Sequence, residues 1–206
     1  MKSPIEDTIW ASEYGSVAMV QAAFDRFGPE YHRAIMATGV PSGAAEALMS
    51  HLQPDAQGID FGCGSGVLGL ALRTAGLHQL LDGLDLSPVM LNLARETGCY
   101  RQLQRANLLL PKEYPTLSIP YDFAITVGLI GDYVPYYVAL PSIVQSLRPG
   151  GHLGFAVEQK STPSHAMGKM AADLGLSFLS ETILSVPEAK LAEQTYHFFV
   201  AQRANA

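Results

Sequence analysis

The stretch DFGCGSG at residues 60 to 66, set between an apolar run and a helical pattern, constrains this chain more than any other feature. A buried strand that leaves its sheet through a turn this rich in glycine brings bare backbone close to whatever lies above the strand, because no side chain blocks the approach. QGIDFG (57–62) has the length and apolar character of such a strand, and SGVLGLALRTAG (65–76) opens a helix that ends on Gly76. Strand, turn and helix in direct succession make one α/β unit, with Gly62, Gly64 and Gly66 forming the turn.

LLDGLDL (80–86) reads as the next strand, after which Ser87 as N-cap and Pro88 at the first helical position start a helix that Gly98 closes. Asp85 ends that strand 23 residues after Gly62, where its carboxylate can accept two hydrogen bonds from the hydroxyls of a ribose. Two cofactors satisfy this spacing. Gly64, Gly66 and Gly69 also fit G-x-G-x-x-G, the dinucleotide fingerprint, with Asp85 21 residues after Gly64. Against a nicotinamide cofactor stand Asp60, inside the first strand two residues before the glycines, and the lack of a second mononucleotide half. A sulfonium cofactor has no pyrophosphate to seat on a helix N-terminus, and Asp60 could bear on its positive charge. Both points favour S-adenosylmethionine.

The rest of the chain extends the α/β pattern into a parallel sheet covered by helices, a Rossmann-like three-layer sandwich. Residues 16–27 and 29–38 read as two helices broken at Gly28-Pro29, and Ser42 caps a third that stops before Pro54. Further strands fall near 100–106, 121–127 and 152–158, with RPGG (148–151) turning into the last. LSFLSETILSV (176–186) and TYHFFVAQR (195–203) have no helix between them and should pair antiparallel. At 206 residues this is one domain (1–206), with a helical preface over 1–53 and the core over 54–206.

Composition narrows the partners. A net charge of -6 argues against a nucleic-acid backbone, which needs clustered Lys and Arg. Charged residues make up 16% of the chain, against roughly 25% in ordinary soluble domains. Apolar residues reach 48%, which points to a greasy small-molecule substrate or a twin subunit, in a monomer or homodimer. Cys63 and Cys99 alone form neither a disulfide framework nor a zinc site, so the expected compartment is the reducing cytoplasm and no metal is expected. The first residues, with Glu6, Asp7 and Glu13, read as neither a secretory signal nor a transit peptide. The most apolar region, 119–147, is interrupted by Asp122, Asp132 and three prolines, so no membrane span is expected.

Four blocks in order, DFGCGSGVLG (60–69), GLDLSPVMLNLAR (83–95), YDFAITVGLI (121–130) and LRPGGHLGFAVE (147–158), resemble the class I S-adenosylmethionine-dependent methyltransferases. The resemblance runs from about residue 14 to the end, and GLDLSPVMLNLA with LRPGG is similar to the branch that includes the Williams-Beuren syndrome methyltransferase. It implies a seven-stranded sheet whose last two strands are the antiparallel pair. It also implies that Asp60, Gly62, Cys63 and Gly64 line the methionine end, Asp85 the ribose, and Leu86 and Met90 the adenine, with Leu108 and Val127 alongside. Where the family often carries Asp after the third strand, RANLLLP (105–111) offers Asn107, whose amide oxygen can still accept the adenine amino group.

Ligands of open α/β sheets bind beyond the carboxyl ends of the strands. GLIGDYVPYYVALP (128–141) therefore supplies a candidate wall, with Asp132, Tyr133, Tyr136 and Tyr137 suited to an aromatic or polyketide-like molecule. If the likeness holds, Trp10, Tyr14, Tyr31 and His32 form a lid from the preface. Methyl transfer needs in-line positioning and a base only when the acceptor loses a proton. His32 is the first candidate base, with Tyr133 beside the pocket, and His165 the second. The expected reaction is methyl transfer to oxygen or nitrogen of a small apolar or aromatic molecule, in secondary metabolism. A methyltransferase-like cyclase or isomerase that binds the cofactor without using its methyl group, and an NAD-dependent oxidoreductase, are the alternatives. Calorimetry against both cofactors is expected to show binding of S-adenosylmethionine and none of NAD; binding of NAD alone would reverse the assignment.

Overall fold

A computed structural model describes residues 16–115, 117, 120–130, 134–158, 164–186 and 195–205. The elements run α1 (Val17–Ala37), α2 (Val40–Met49), β1 (Gly58–Phe61), α3 (Val67–Thr74), β2 (Leu81–Asp85), α4 (Pro88–Glu96), β3 (Tyr100–Arg105), β4 (Tyr121–Thr126), α5 (Tyr136–Ser146), β5 (Leu147–Glu158), α6 (Ser164–Asp173), β6 (Leu176–Ser185) and β7 (Thr195–Arg203). The seven strands form one sheet in the order β3-β2-β1-β4-β5-β7-β6. The first five are parallel, and β7 runs antiparallel between β5 and β6. The sheet is thus mixed, and it departs from the dinucleotide-binding order 3-2-1-4-5-6 by the antiparallel β7 inserted between β5 and β6.

Two apolar layers hold the sheet. Leu48 of α2 and Leu68 and Leu72 of α3 pack with Phe123, Ile125, Phe198 and Val200 on one face. On the other, Leu140 and Ile143 of α5 and Met170 of α6 pack with Ile59, Phe61, Ala124, Leu153 and Phe155. With both faces covered, all four residues of β1 are buried, Asp60 among them. Gly58 lets Phe123 of the neighbouring strand lie across β1; a Cβ there would fall 2.0 Å from the ring. Among the described residues, no helix is long and apolar enough to cross a membrane.

Three element boundaries differ from the sequence reading. α1 continues through Gly28-Pro29 as one helix. Proline costs the helix an N–H bond, but Gly28 is where α1 lies on α4, with a Cβ position 3.1 Å from Leu93 and 3.2 Å from Val89. That close packing holds the two halves in line. α2 starts at Val40 rather than after Ser42, because Gly39 takes a left-handed φ of 75° and Pro41 is already set for the first turn. The Thr38 hydroxyl, 3.2 Å from the Val40 N–H, accepts its hydrogen bond. β5 begins at Leu147, so RPGG lies inside it as an irregularity: Tyr121 pairs with Leu147 and Phe123 with His152, five residues on β5 against two on β4.

Replacing Gly58 by Ala should destabilise the fold by about 1–3 kcal/mol through the clash with Phe123. Urea denaturation of the variant checks this, and an unchanged midpoint would show that Phe123 is free to move.

Candidate cofactor and substrate cleft

The glycine turn owes its shape to β2. The Leu84 carbonyl accepts from the N–H groups of Gly62 (2.8 Å) and Cys63 (2.9 Å), which pins the chain as it leaves β1. Gly62 and Gly66 then take φ values of 78° and 82°, which side chains disfavour. Asp85 completes the turn from the carboxyl end of β2. Its Oδ2 accepts from the Gly64 N–H and its Oδ1 from the Ser87 N–H, both at 2.8 Å. Ser87 caps α4 by accepting from the Met90 N–H at 3.0 Å. One half-buried carboxylate therefore joins the turn to the start of α4. Burial raises its pKa and the backbone N–H groups oppose that shift.

Above this junction lies a cleft that opens to solvent. Gly62, Gly64, Asp85, Leu86, Met90, Asn107, Leu108 and Val127 all line it. Asn107 Oδ1 accepts from the Leu109 N–H at 3.1 Å, folding the loop after β3 back on itself. The opposite wall is apolar: Val20, Phe24 and Tyr31 from α1, and Leu129 and Val134 from the segment after β4. Phe24 and Tyr31 meet edge-to-face, with ring centroids 5.3 Å apart.

Other candidate residues stand elsewhere. Cys63 is behind the turn, its buried side chain packed with Leu91 and Ala94 of α4. Asp60 is 1% exposed beneath the turn, accepting from the Tyr100 hydroxyl at 2.8 Å. His32 faces away from the cleft, since one helical step turns it about 100° from Tyr31. Its ring lies in a shallow depression with Leu70, Leu93 and Thr97, and its Nδ1 is buried without a partner. Tyr136 packs against the core and Tyr137, at a centroid distance of 5.6 Å, while Tyr137 is 63% exposed. Trp10, Tyr14, Asp132 and Tyr133 lie outside the described residues, as does the side chain of His165, whose backbone starts α6. Among the described residues, no cluster of three or more His, Cys, Asp or Glu is close enough to hold a metal ion.

A polar chain at the rim had no local signature in the sequence. Arg105 donates to the Leu86 carbonyl at 3.0 Å and to Gln21 Oε1 at 2.8 Å. Gln21 Nε2 donates to Asp25 Oδ2 at 3.2 Å, and Asp25 Oδ1 accepts from the Ser87 hydroxyl at 2.5 Å. The chain stitches α1 to the ends of β2 and β3. The nearest sequence signal was the stripe Val20, Phe24 and Tyr31 with Gln21 and Asp25 at its edge, four residues apart on one helix face.

Burial pushes the Asp60 carboxyl from 3.8 up to about 7, with Asp85 adding to the rise and Tyr100 opposing it. The folded protein therefore holds this proton more tightly than the unfolded chain, so the associated stability is present below about pH 4 and lost as pH rises through about 7. Urea midpoints between pH 4 and 8 should show Asp60→Asn gaining on the native protein as pH rises. Parallel profiles would mean that Asp60 titrates as an ordinary carboxylate.

A methyltransferase domain family matches residues 59–151, from the middle of β1 to the start of β5. The ribosomal protein L11 methyltransferase of Pectobacterium carotovorum subsp. carotovorum (strain PC1) is 32% identical over 99 residues, covering 48% of this chain and 32% of that protein. Human methyltransferase-like protein 27 is 29% identical over 133 residues, 62% of this chain and 53% of its own. The chain thus spans about a third of the length of the L11 enzymes that it matches. Among solved structures, the [4+2]-cyclase SpnF superposes with a TM-score of 0.69 at 14% identity, covering 91% of this chain and 96% of its own. Burkholderia thailandensis 1,6-didemethyltoxoflavin-N1-methyltransferase, solved with 1,6-didemethyltoxoflavin and S-adenosylhomocysteine bound, superposes with a TM-score of 0.68 at 18% identity, covering 91% and 88%. Turn, carboxylate and strand order all fall within or around the matched segment, so the chain is similar to methyltransferase domains over residues 59–151 and has the Rossmann-like fold of the solved S-adenosylmethionine-dependent methyltransferases.

Proposed function

We propose that this protein transfers a methyl group from S-adenosylmethionine to an oxygen or nitrogen of a small, apolar or aromatic molecule. The observation that carries the reading is the two-sided cleft: a glycine turn with an acceptor carboxylate on one wall, and Val20, Phe24, Tyr31, Leu129 and Val134 on the other. The residues fit the cofactor. Asp85 spends one lone pair of each oxygen on backbone N–H groups and keeps the others for a pair of hydroxyls. Leu86, Met90 and Leu108 offer a flat apolar slot beside it, and Asn107 an amide at its edge. Bound there, the cofactor supplies an activated methyl group; the protein's part is to orient the acceptor against it and exclude water.

Among the described lining residues only Asp85 and Tyr31 are ionisable, and Asp85 is committed to the turn. A proton acceptor for the substrate falls to Tyr31 or to Tyr133 and Asp132, which sit in sequence between cleft residues Leu129 and Val134. His32 has no access to the cleft and is not proposed as the base. The same scarcity of ionisable groups favours a second reading, a cyclase or isomerase that uses the apolar wall to shape a substrate without methylating it. Similarity to SpnF, a [4+2]-cyclase, supports that reading at the level of the fold. Within the family, the relation to methyltransferase-like protein 27 supports a place near that branch. The two cysteines and the apolar composition favour a cytoplasmic monomer or homodimer, and an aromatic or polyketide-like substrate would place the protein in secondary metabolism.

Incubation with methyl-labelled cofactor and a panel of hydroxylated and amino-bearing aromatics tests the proposal. A product heavier by one methyl group is expected, and Asp85→Ala should weaken cofactor binding by tenfold or more through loss of the charged acceptor. Altered connectivity at unchanged mass would favour the second reading.

A further inference from the structure

Asp60 and Tyr100 form a buried polar pair at the site that cofactor binding, as proposed, does not use directly. Tyr100 begins β3, two strands away from β1, yet its ring passes beneath the glycine turn to reach Asp60. Three glycines make room for it. A Cβ on Gly66 would lie 3.1 Å from the ring, one on Gly83 3.0 Å away, and one on Gly69 2.9 Å from both the ring and the hydroxyl. The third glycine of the apparent dinucleotide fingerprint thus makes room for a tyrosine. The cradle leaves the phenol little freedom and aims its O–H at Asp60 Oδ2 at 2.8 Å.

We infer that Tyr100 is a positioning residue: its phenol O–H, aimed by the three glycines, holds the Asp60 carboxyl beneath the turn, where its negative charge favours a sulfonium over a neutral thioether in the cleft. This rests on the cofactor assignment above and extends it to the choice between the charged cofactor and its spent, uncharged form. Asp60 reaches the cleft by its field, since it is 1% exposed and does not line the wall. The titratable groups around it are few. Burial pushes up both the Cys63 thiol and the Tyr100 phenol, leaving each neutral at physiological pH, and the phenol a donor. Asp85, at the end of β2, raises the Asp60 pKa, while the phenol hydrogen bond lowers it. Removing the phenol O–H leaves burial and Asp85 unopposed.

The test is calorimetry of the intact protein with S-adenosylmethionine and S-adenosylhomocysteine from pH 6 to 8.5. Both ligands carry the same amino acid and nucleoside groups, so the ratio of their affinities cancels shared titrations and isolates the sulfonium. In the native protein that ratio should rise as pH passes about 7. Tyr100→Phe keeps the ring in its cradle and should cut the preference for S-adenosylmethionine about fivefold at pH 7.5, moving the rise to higher pH, as a unit charge acting over several ångströms would. Gly69→Ala, which crowds the phenol, should act in the same direction. Asp60→Asn should lower the preference to a value that does not vary with pH, and it carries the test should Tyr100→Phe fail to fold. Equal weakening of both ligands by Tyr100→Phe would show a structural wedge only, and an unaltered preference in Asp60→Asn would equally overturn the inference. No binding of either ligand to the native protein would instead remove the cofactor assignment, and this inference with it.

Discussion

The Asp85 carboxylate is the point on which the site depends. It joins the glycine turn, the end of β2 and the first turn of α4 through two hydrogen bonds to backbone N–H groups. Without it the Gly64 N–H would lose its partner, and the start of α4 would rest on the Ser87 cap alone. The bonds are charge-assisted, and they hold the chain in left-handed conformations that it would not otherwise keep. A charge so placed also leaves acceptor capacity facing the cleft, so a structural need and a binding capacity are met by one side chain.

Three aspartates on two adjacent strands show how position along a strand decides what a carboxylate does. Asp82, near the start of β2, is buried and held by Arg101 at 2.8 Å and the Tyr121 hydroxyl at 2.6 Å, at the end of the sheet away from the cleft. It is a satisfied structural charge. Asp60, further along β1, accepts from the Tyr100 phenol, and burial raises its pKa to about 7. Asp85, at the carboxyl end of β2, has backbone donors and an open side. In the sequence, LDGLD presents its two acids alike; the sheet separates them by three residues of rise and by the partners available at each level.

Much of the central unit was legible because its signals are local. Ser87-Pro88 fixes where α4 begins, Gly76 and Gly98 take positive φ just beyond the helices that they end, and the last two strands lack a helix between them. The boundaries that were misread depend on distant partners: Pro29 is tolerated because Gly28 packs on α4, and RPGG joins β5 because β4 offers pairing on both sides of it. The same limit applies to the cleft. Leu86, Met90 and Leu108 follow from the resemblance to the methyltransferases, whereas Gln21, Asp25 and Arg105 meet only after α1 has folded across them. Adjacent residues Tyr31 and His32 carried similar promise, and the helical turn sends one into the cleft and the other away from it.

The central claim is that the cofactor lies above the junction that Asp85 holds. Backbone amide chemical shifts recorded during titration with S-adenosylmethionine test it most directly, because the N–H groups of Gly62, Gly64, Ser87 and Leu108 surround that junction. The largest shifts should cluster there and along the Val20–Tyr31 face of α1. Saturable shifts centred elsewhere, with those amides unmoved, would contradict it.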